Sequence, residues 1–217
     1  LHDITMEKGS FIAADCAYFF KRPQDSGLVV GSHQADPTGV FSNRGFEPVE
    51  VEISRRGDPA RATVKVKQPE LWTPDSPRLY PVILEVADSS GKTLDRVETY
   101  VGLREISVAD APGRDYSYIC LNGKPIYLRG ALHQSFHPDG IYQYPDDATM
   151  RSDYELCKRI GINFLRIHIK APIPRELYWA DKLGVLIMED MPNYWVHSQQ
   201  AMDWYERMLR AVIDRDF

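Results

Sequence analysis

The sequence predicts a β-sandwich over residues 1–108, a linker at 109–115 and a parallel α/β domain over 116–217. Three observations carry this prediction. Apolar and polar residues alternate with a period of two in the first half. After residue 146 the spacing becomes helical. The second half also repeats a helix, a glycine and a near-continuous apolar strand, which is how a buried parallel strand begins. A length of 217 residues fits one large domain or two small ones.

In the first half, Val49, Val51 and Ile53 alternate with Glu50, Glu52 and Ser54, and Ala62, Val64 and Val66 alternate with Thr63, Lys65 and Lys67. This is the pattern of half-buried antiparallel strands. Further strands are predicted at 16–20, 28–31, 82–86 and 96–101. Arg56-Gly57-Asp58-Pro59 and Asp88-Ser89-Ser90-Gly91 supply turns between them. Short strands at such spacing predict a sandwich of about 100 residues. Pro112 and Gly113 mark the linker.

The α/β half opens with a predicted strand at 126–130. A helix follows over 147–160, with Met150, Tyr154, Cys157 and Ile160 on one stripe, Asp146 or Asp147 as its cap and Gly161 at its end. An apolar strand is expected at 162–169. Pro174 then opens a helix over 175–183 that ends at Gly184, a strand follows at 185–189, and a third helix covers 201–214 with Tyr205, Met208, Leu209, Val212 and Ile213 on one side. Lys158-Arg159-Ile160-Gly161-Ile162 is echoed by Asp181-Lys182-Leu183-Gly184-Val185, one βα unit later. Three consecutive βα units with right-handed crossovers give a parallel sheet, either doubly wound or part of an eight-fold barrel. No glycine-rich phosphate loop follows the first strand, so dinucleotide binding has no support.

Composition narrows the function. The net charge is −5, which excludes a nucleic-acid binder working through bulk positive charge. No apolar run approaches the roughly 18 residues that span a bilayer, so no membrane partner is expected. Cys16, Cys120 and Cys157 have no paired spacing and indicate neither a disulfide framework nor a zinc knuckle. No leader pattern is read at the N-terminus, and a chain beginning at Leu1 is expected to start inside a longer sequence. Periplasmic, secreted and cytoplasmic locations all stay open, as does the oligomeric state.

In parallel α/β folds the chemistry sits at the C-terminal ends of the strands. Those ends are polar and aromatic here: Arg129-Gly130-Ala131-Leu132-His133 with His137-Pro138-Asp139-Gly140, then Arg166-Ile167-His168-Ile169-Lys170, then Glu189-Asp190-Met191-Pro192-Asn193-Tyr194-Trp195. Arg166 inside an apolar strand calls for a carboxylate partner. His133 and His168 are either structural or ligand-binding, and Trp195 is either core or a platform for a sugar ring. Glu189 and Asp190 read more readily as a strand exit than as catalytic acids.

At these residues the chain resembles glycoside hydrolase family 2, the group of β-galactosidases, β-glucuronidases and β-mannosidases. Leu71-Trp72-Thr73-Pro74-Asp75-Ser76-Pro77-Arg78-Leu79-Tyr80 and Val101-Gly102-Leu103-Arg104-Glu105-Ile106 resemble the end of that family's immunoglobulin-like sandwich. Leu121-Asn122-Gly123-Lys124-Pro125-Ile126-Tyr127-Leu128-Arg129-Gly130 resembles the start of its catalytic barrel. Asn163-Phe164-Leu165-Arg166-Ile167-His168, Asp181-Lys182-Leu183-Gly184 and Asp190-Met191-Pro192-Asn193 resemble its second and third units.

The resemblance implies an immunoglobulin-like sandwich followed by the first three βα units of an incomplete (β/α)8 barrel, in a retaining, exo-acting β-glycosidase that uses two glutamates about 5–5.5 Å apart. Both glutamates are expected beyond Phe217, so no catalytic residue is expected within the chain, which is expected to be inactive alone. His133, His168, Asn193 and Trp195 are implied to contact a terminal β-linked sugar, and Arg166 to support the nucleophile or to pair with Glu189 or Asp190.

The pattern departs from many members where Ala131-Leu132 precede His133 and where Ile169-Lys170-Ala171-Pro172 follow His168. The third strand lacks the carboxylate that some members use for magnesium, so neither a metal nor a cofactor is expected. Two alternatives remain: a non-catalytic carbohydrate-binding or scaffold protein, and a metal-dependent barrel hydrolase with His133, His137 and His168 as ligands.

Overall fold

A computed structural model describes residues 4–7, 11–14, 26–31, 49–51, 66, 69–88 and 90–216. The chain divides into two compact units. The terminal Phe217 aside, the first comprises Leu1–Glu70 and Arg78–Leu103, and the second Leu71–Pro77 and Arg104–Asp216.

In the first unit, β1 (Ile4–Glu7) and β2 (Phe11–Ala14) form an antiparallel pair. A four-stranded antiparallel sheet has the order β4-β3-β5-β6, from β3 (Ser26–Gly31), β4 (Val49–Val51), β5 (Tyr80–Asp88) and β6 (Thr93–Val101). The pleat is read directly along β5, where Tyr80, Val82 and Leu84 are buried while Pro81, Ile83 and Glu85 are partly exposed. The hydroxyl of Tyr80 accepts the Glu70 amide at 2.7 Å. On the other side of the sheet, Arg96 stands opposite Glu85 and bridges it to Glu98. The strand expected at 16–20 and the turn at Arg56-Gly57-Asp58-Pro59 lie outside the described residues, as does all of 62–67 except the buried Val66.

The second unit begins with a small antiparallel sheet of β7 (Ile106–Asp110), β8 (Ser117–Leu121) and β9 (Lys124–Pro125). The turn between β7 and β8 takes up most of residues 109–115; the Ala111 amide donates to Tyr116, and Gly113 takes a positive φ. A parallel sheet follows, in the order β10 (Gly130–His133), β11 (Phe164–Ile167) and β12 (Leu186–Glu189). Its helices are α1 (Asp147–Arg159), α2 (Pro174–Leu183) and α3 (Gln199–Asp216).

The first parallel strand starts four residues later than the sequence suggests, because residues 126–129 are bound elsewhere. Ile126 donates to Ile119 of β8, and the side chain of Asn163 accepts the Arg129 amide at 2.8 Å and donates to the Tyr127 carbonyl at 3.0 Å. Asn163 is buried, and its backbone also holds Arg129 and Leu186, so one residue aligns the starts of all three strands.

The pleat of this sheet sorts its side chains. Leu165 and Ile167 are buried, and Leu165 joins Tyr144, Met150, Tyr154, Trp179, Ala180 and Val185 in the core beneath α1 and α2. Burial of a side chain as large as Leu165 or Met150 contributes about 1.5–3 kcal/mol. On the other face, Leu132, Arg166 and Met188 stand in register and all three are exposed.

Helix ends follow local chemistry. Asp146 caps α1 by accepting the Thr149 amide at 2.7 Å. Asp147, in the first turn, accepts Trp179 Nε1 at 2.8 Å and the Arg175 guanidinium, and these bonds lower its carboxyl to about 2. Gly161 and Gly184 both follow their helices with positive φ, which explains the repeated glycine of the sequence echo.

Residues 71–77 close over the second glycine. Trp72 is 0% exposed, its Nε1 donates to the Asp181 carbonyl at 2.8 Å, and the Arg104 guanidinium lies 4.6 Å from its ring centroid. Lys158 Nζ donates to the Pro74 and Gly184 carbonyls. A Cβ on Gly184 would lie 2.3 Å from the Pro74 oxygen, whereas one on Gly161 would meet nothing within 4 Å. Both glycines carry the left-handed conformation, worth about 1–2 kcal/mol against an L-residue, but only Gly184 also carries a clash. Gly184→Ala should therefore lower the urea midpoint clearly more than Gly161→Ala. Equal losses in the two variants would show that residues 71–77 do not press on the end of α2.

Candidate functional site

The C-terminal ends of β10, β11 and β12 lie side by side, and their side chains fall into two groups. The first group is turned to the helices and is buried, apart from the half-buried His133. His133 ends β10; its Nε2 lies 2.8 Å from the Tyr144 hydroxyl, and its Nδ1 lies 3.9 Å from Glu176 Oε1 with no hydrogen-bond partner. Burial holds its pKa below the usual histidine value, which favours the neutral imidazole. Glu176 of α2 is only 2% exposed and accepts Ser135 Oγ on both carboxylate oxygens at 2.9 Å and the Tyr154 hydroxyl at 3.3 Å. Burial raises its pKa, opposed by the Ser135 hydrogen bond and the charge of Lys170. Burial likewise raises the phenols of Tyr144 and Tyr154 well above the ordinary value.

The second group faces outward. His168 follows β11, and its Nδ1 lies 3.0 Å from Gln134 Oε1, while its amide donates to the His133 carbonyl. Arg166 is half exposed, and its Nη2 lies 2.7 Å from Asp190 Oδ2, so its partner is the aspartate that follows β12. Arg166 lies on the exposed side of the sheet, because Leu165 and Ile167 take the covered side. Asn193 is exposed, and its Oδ1 accepts the Tyr194 amide. Trp195 is 98% exposed in this chain. Tyr194 beside it packs edge-on against His197 and Tyr205.

The structure thus brings His168 next to Gln134 and turns the His133 ring away from both. His137 hydrogen-bonds its own loop through the Asp139 amide, and no group of three or more His, Cys, Asp or Glu suited to a metal occurs among the described residues. Gln134 and Glu176 were missed from sequence, yet each left a signal. Gln134 directly follows the polar strand end. Glu176 stands three and four residues before Trp179 and Ala180, on the apolar stripe of its helix.

Glu189 ends β12 on the helix-facing side. It is partly buried, with Oε2 shielded and unpartnered, beside Asp216 and Arg215 of α3. Burial first, and then the charge of Asp216, push its carboxyl up to about 7 against the opposing Arg215.

Residues 26–104 match the family model described as Glycosyl hydrolases family 2. Among curated relatives, a β-galactosidase of Pectobacterium atrosepticum is 27% identical over 177 residues, covering 76% of this chain and 16% of the relative. A putative β-glucuronidase of Formosa agariphila is 33% identical over 157 residues, covering 70% of this chain and 18% of the relative. The chain therefore spans less than a fifth of the length of these relatives. Among solved structures, β-glucuronidase 3 of Bacteroides uniformis superposes with a TM-score of 0.76 at 25% identity, covering 100% of this chain and 26% of that one. A β-glucuronidase of Parabacteroides merdae gives 0.76 at 24% identity, covering 95% and 24%. The fold is accordingly that of an immunoglobulin-like sandwich followed by barrel-type α/β structure.

The position of Glu189 has a consequence for pH. A glutamate ordinarily ionises near 4.5, whereas this one does so near 7 in the folded chain. The folded state then holds a proton that the unfolded state has lost, so stability falls as pH rises between those two values. Urea midpoints measured across that window should decline for the native chain and decline less for Glu189→Gln; identical slopes would remove Glu189 as the cause.

Proposed function

The chain belongs to glycosyl hydrolases family 2, and we propose that it forms one wall of the sugar site of a retaining, exo-acting β-glycosidase. In this reading it supplies the sandwich and three of the eight barrel units. The observation that carries the proposal is the pairing of Gln134 with His168 at the C-terminal ends of neighbouring parallel strands. An amide and an imidazole at that position offer donors and acceptors suited to adjacent sugar hydroxyls, and strand ends of this kind are where parallel α/β folds place their ligands. Trp195 adds an uncovered apolar ring for the C–H face of a pyranose, and Asn193 adds a further amide.

His133 takes an indirect part, since its carbonyl fixes the His168 backbone while its ring is held by Tyr144. Arg166, anchored by Asp190, faces the exposed side of the sheet. In the whole enzyme it would hold the nucleophilic carboxylate ionised, as an opposite charge within about 4–6 Å does. The acid/base and nucleophile glutamates belong to other barrel strands in this reading. The chain by itself therefore binds sugar weakly and does not turn it over, because hydrolysis with retention needs both carboxylates.

Two measurements on the purified chain test this. Nitrophenyl β-galactoside and nitrophenyl β-glucuronide should be released no faster than in buffer. Titration with methyl β-galactoside and methyl β-glucuronide should shift the NMR signals of Gln134, His168 and Trp195 in at least one case. Turnover that Glu189→Gln or Asp190→Asn abolishes would mean that the chain carries its own catalytic carboxylate, and titrations that leave all three residues unmoved would sink the sugar-site assignment.

A further inference from the structure

Lys170 is 4% exposed, an unusual position for a lysine. The pleat of β11 would put it on the same outward side as Arg166 and His168. Instead Ile169 takes φ 43°, a left-handed conformation that a β-branched residue rarely adopts, and the chain turns so that Ile169 is exposed and Lys170 is buried. The buried ammonium donates to the Ser135 carbonyl at 2.6 Å and to the Tyr142 carbonyl. It also lies 4.3 Å from the ring centroid of Tyr142 and 5.2 Å from that of Phe136. The charge of Glu176, which holds the Ser135 hydroxyl from the other side, favours the ammonium against its burial.

Lys170 thus grips both ends of the stretch 135–142. Between them His137 and Ile141 bridge to each other through their backbones, and Ser135 and Ile141 both have φ 58°. A loop held in left-handed backbone at two non-glycine residues needs an outside clamp. A compact ammonium with three rotatable donors can serve two carbonyls and an aromatic face at once, which a planar guanidinium does less well.

We propose that Lys170, with Glu176 as its counter-charge, is a positioning residue. It clamps the loop after β10 against the end of β11 and so holds Gln134 against His168. The purpose of this clamp rests on the sugar-site reading above, but its test does not.

In the native chain the ε-ammonium of Lys170 should give a separate NMR signal protected from solvent, with contacts to the rings of Tyr142 and Phe136. Lys170→Met should keep the helical circular dichroism and the amide signals of β12. It should shift the amides of 134–142, speed their exchange with solvent by roughly tenfold or more as local opening becomes easier, and separate the ring signals of His168 from the side chain of Gln134. Lys170→Arg should restore part of the protection. An ammonium that exchanges as freely as the other lysines overturns the proposal, and this reading needs only the native chain should Lys170→Met fail to fold. Unchanged protection of 134–142 in a folded Lys170→Met chain overturns it as well. Methyl β-galactoside and methyl β-glucuronide titrated into the native chain report separately on the sugar site: no shift there removes the ligand and leaves the clamp standing.

Discussion

The alternation of side chains along three short parallel strands governs what the second unit can do. In β11, Leu165 and Ile167 fall on the side of α1 and α2 and become core, so Phe164 and Arg166 must fall on the other. A slip of one residue would bury the guanidinium and expose the core pair, a cost of several kcal/mol for the charge alone. The register carries the same division to β10 and β12, where Leu132 and Met188 stand level with Arg166, and His133 and Glu189 with Ile167. Buried Asn163 fixes that register at the strand starts through four hydrogen bonds, three to residues 127–129 and one to Leu186.

Beyond the ends of the strands the pleat no longer dictates placement, and ionic and hydrogen-bonding groups take over. Glu176 and Lys170 are both buried, and each favours the charged form of the other while gripping the loop after β10. Burying two charges is tolerable only with such pairing and with hydrogen bonds for the remaining donors and acceptors. The consequence at the surface is a defined pair, Gln134 with His168, rather than two free side chains. At the opposite end of the helices, residues 71–77 play a comparable part, filling the space beside Gly184 and accepting Lys158.

Much of this was legible in the sequence, for physical reasons that can be named. The three helices and three parallel strands announced themselves through apolar spacing and through Gly161 and Gly184, whose positive φ the repeated motif requires. The start of the first parallel strand was read four residues early, because the hold of Asn163 and β8 on residues 126–129 is a tertiary effect. The pair β1 and β2 went unread, since two four-residue strands carry too little pattern. In the site, the polar strand ends were visible but their directions were not. Lys170 changes sides through Ile169, a left-handed residue that no periodicity foretells.

The central proposal is that the pleat and the Lys170 clamp present Gln134 and His168 to a sugar while His133 stays behind them. The most direct measurement is a crystal structure of the proposed longer enzyme around this chain, with a β-galactoside or β-glucuronide bound. The account predicts sugar hydroxyls within hydrogen-bonding distance of Gln134 and His168, with the His133 ring still on the Tyr144 hydroxyl. A sugar held by the His133 ring, with Gln134 and His168 more than one water away, would contradict it.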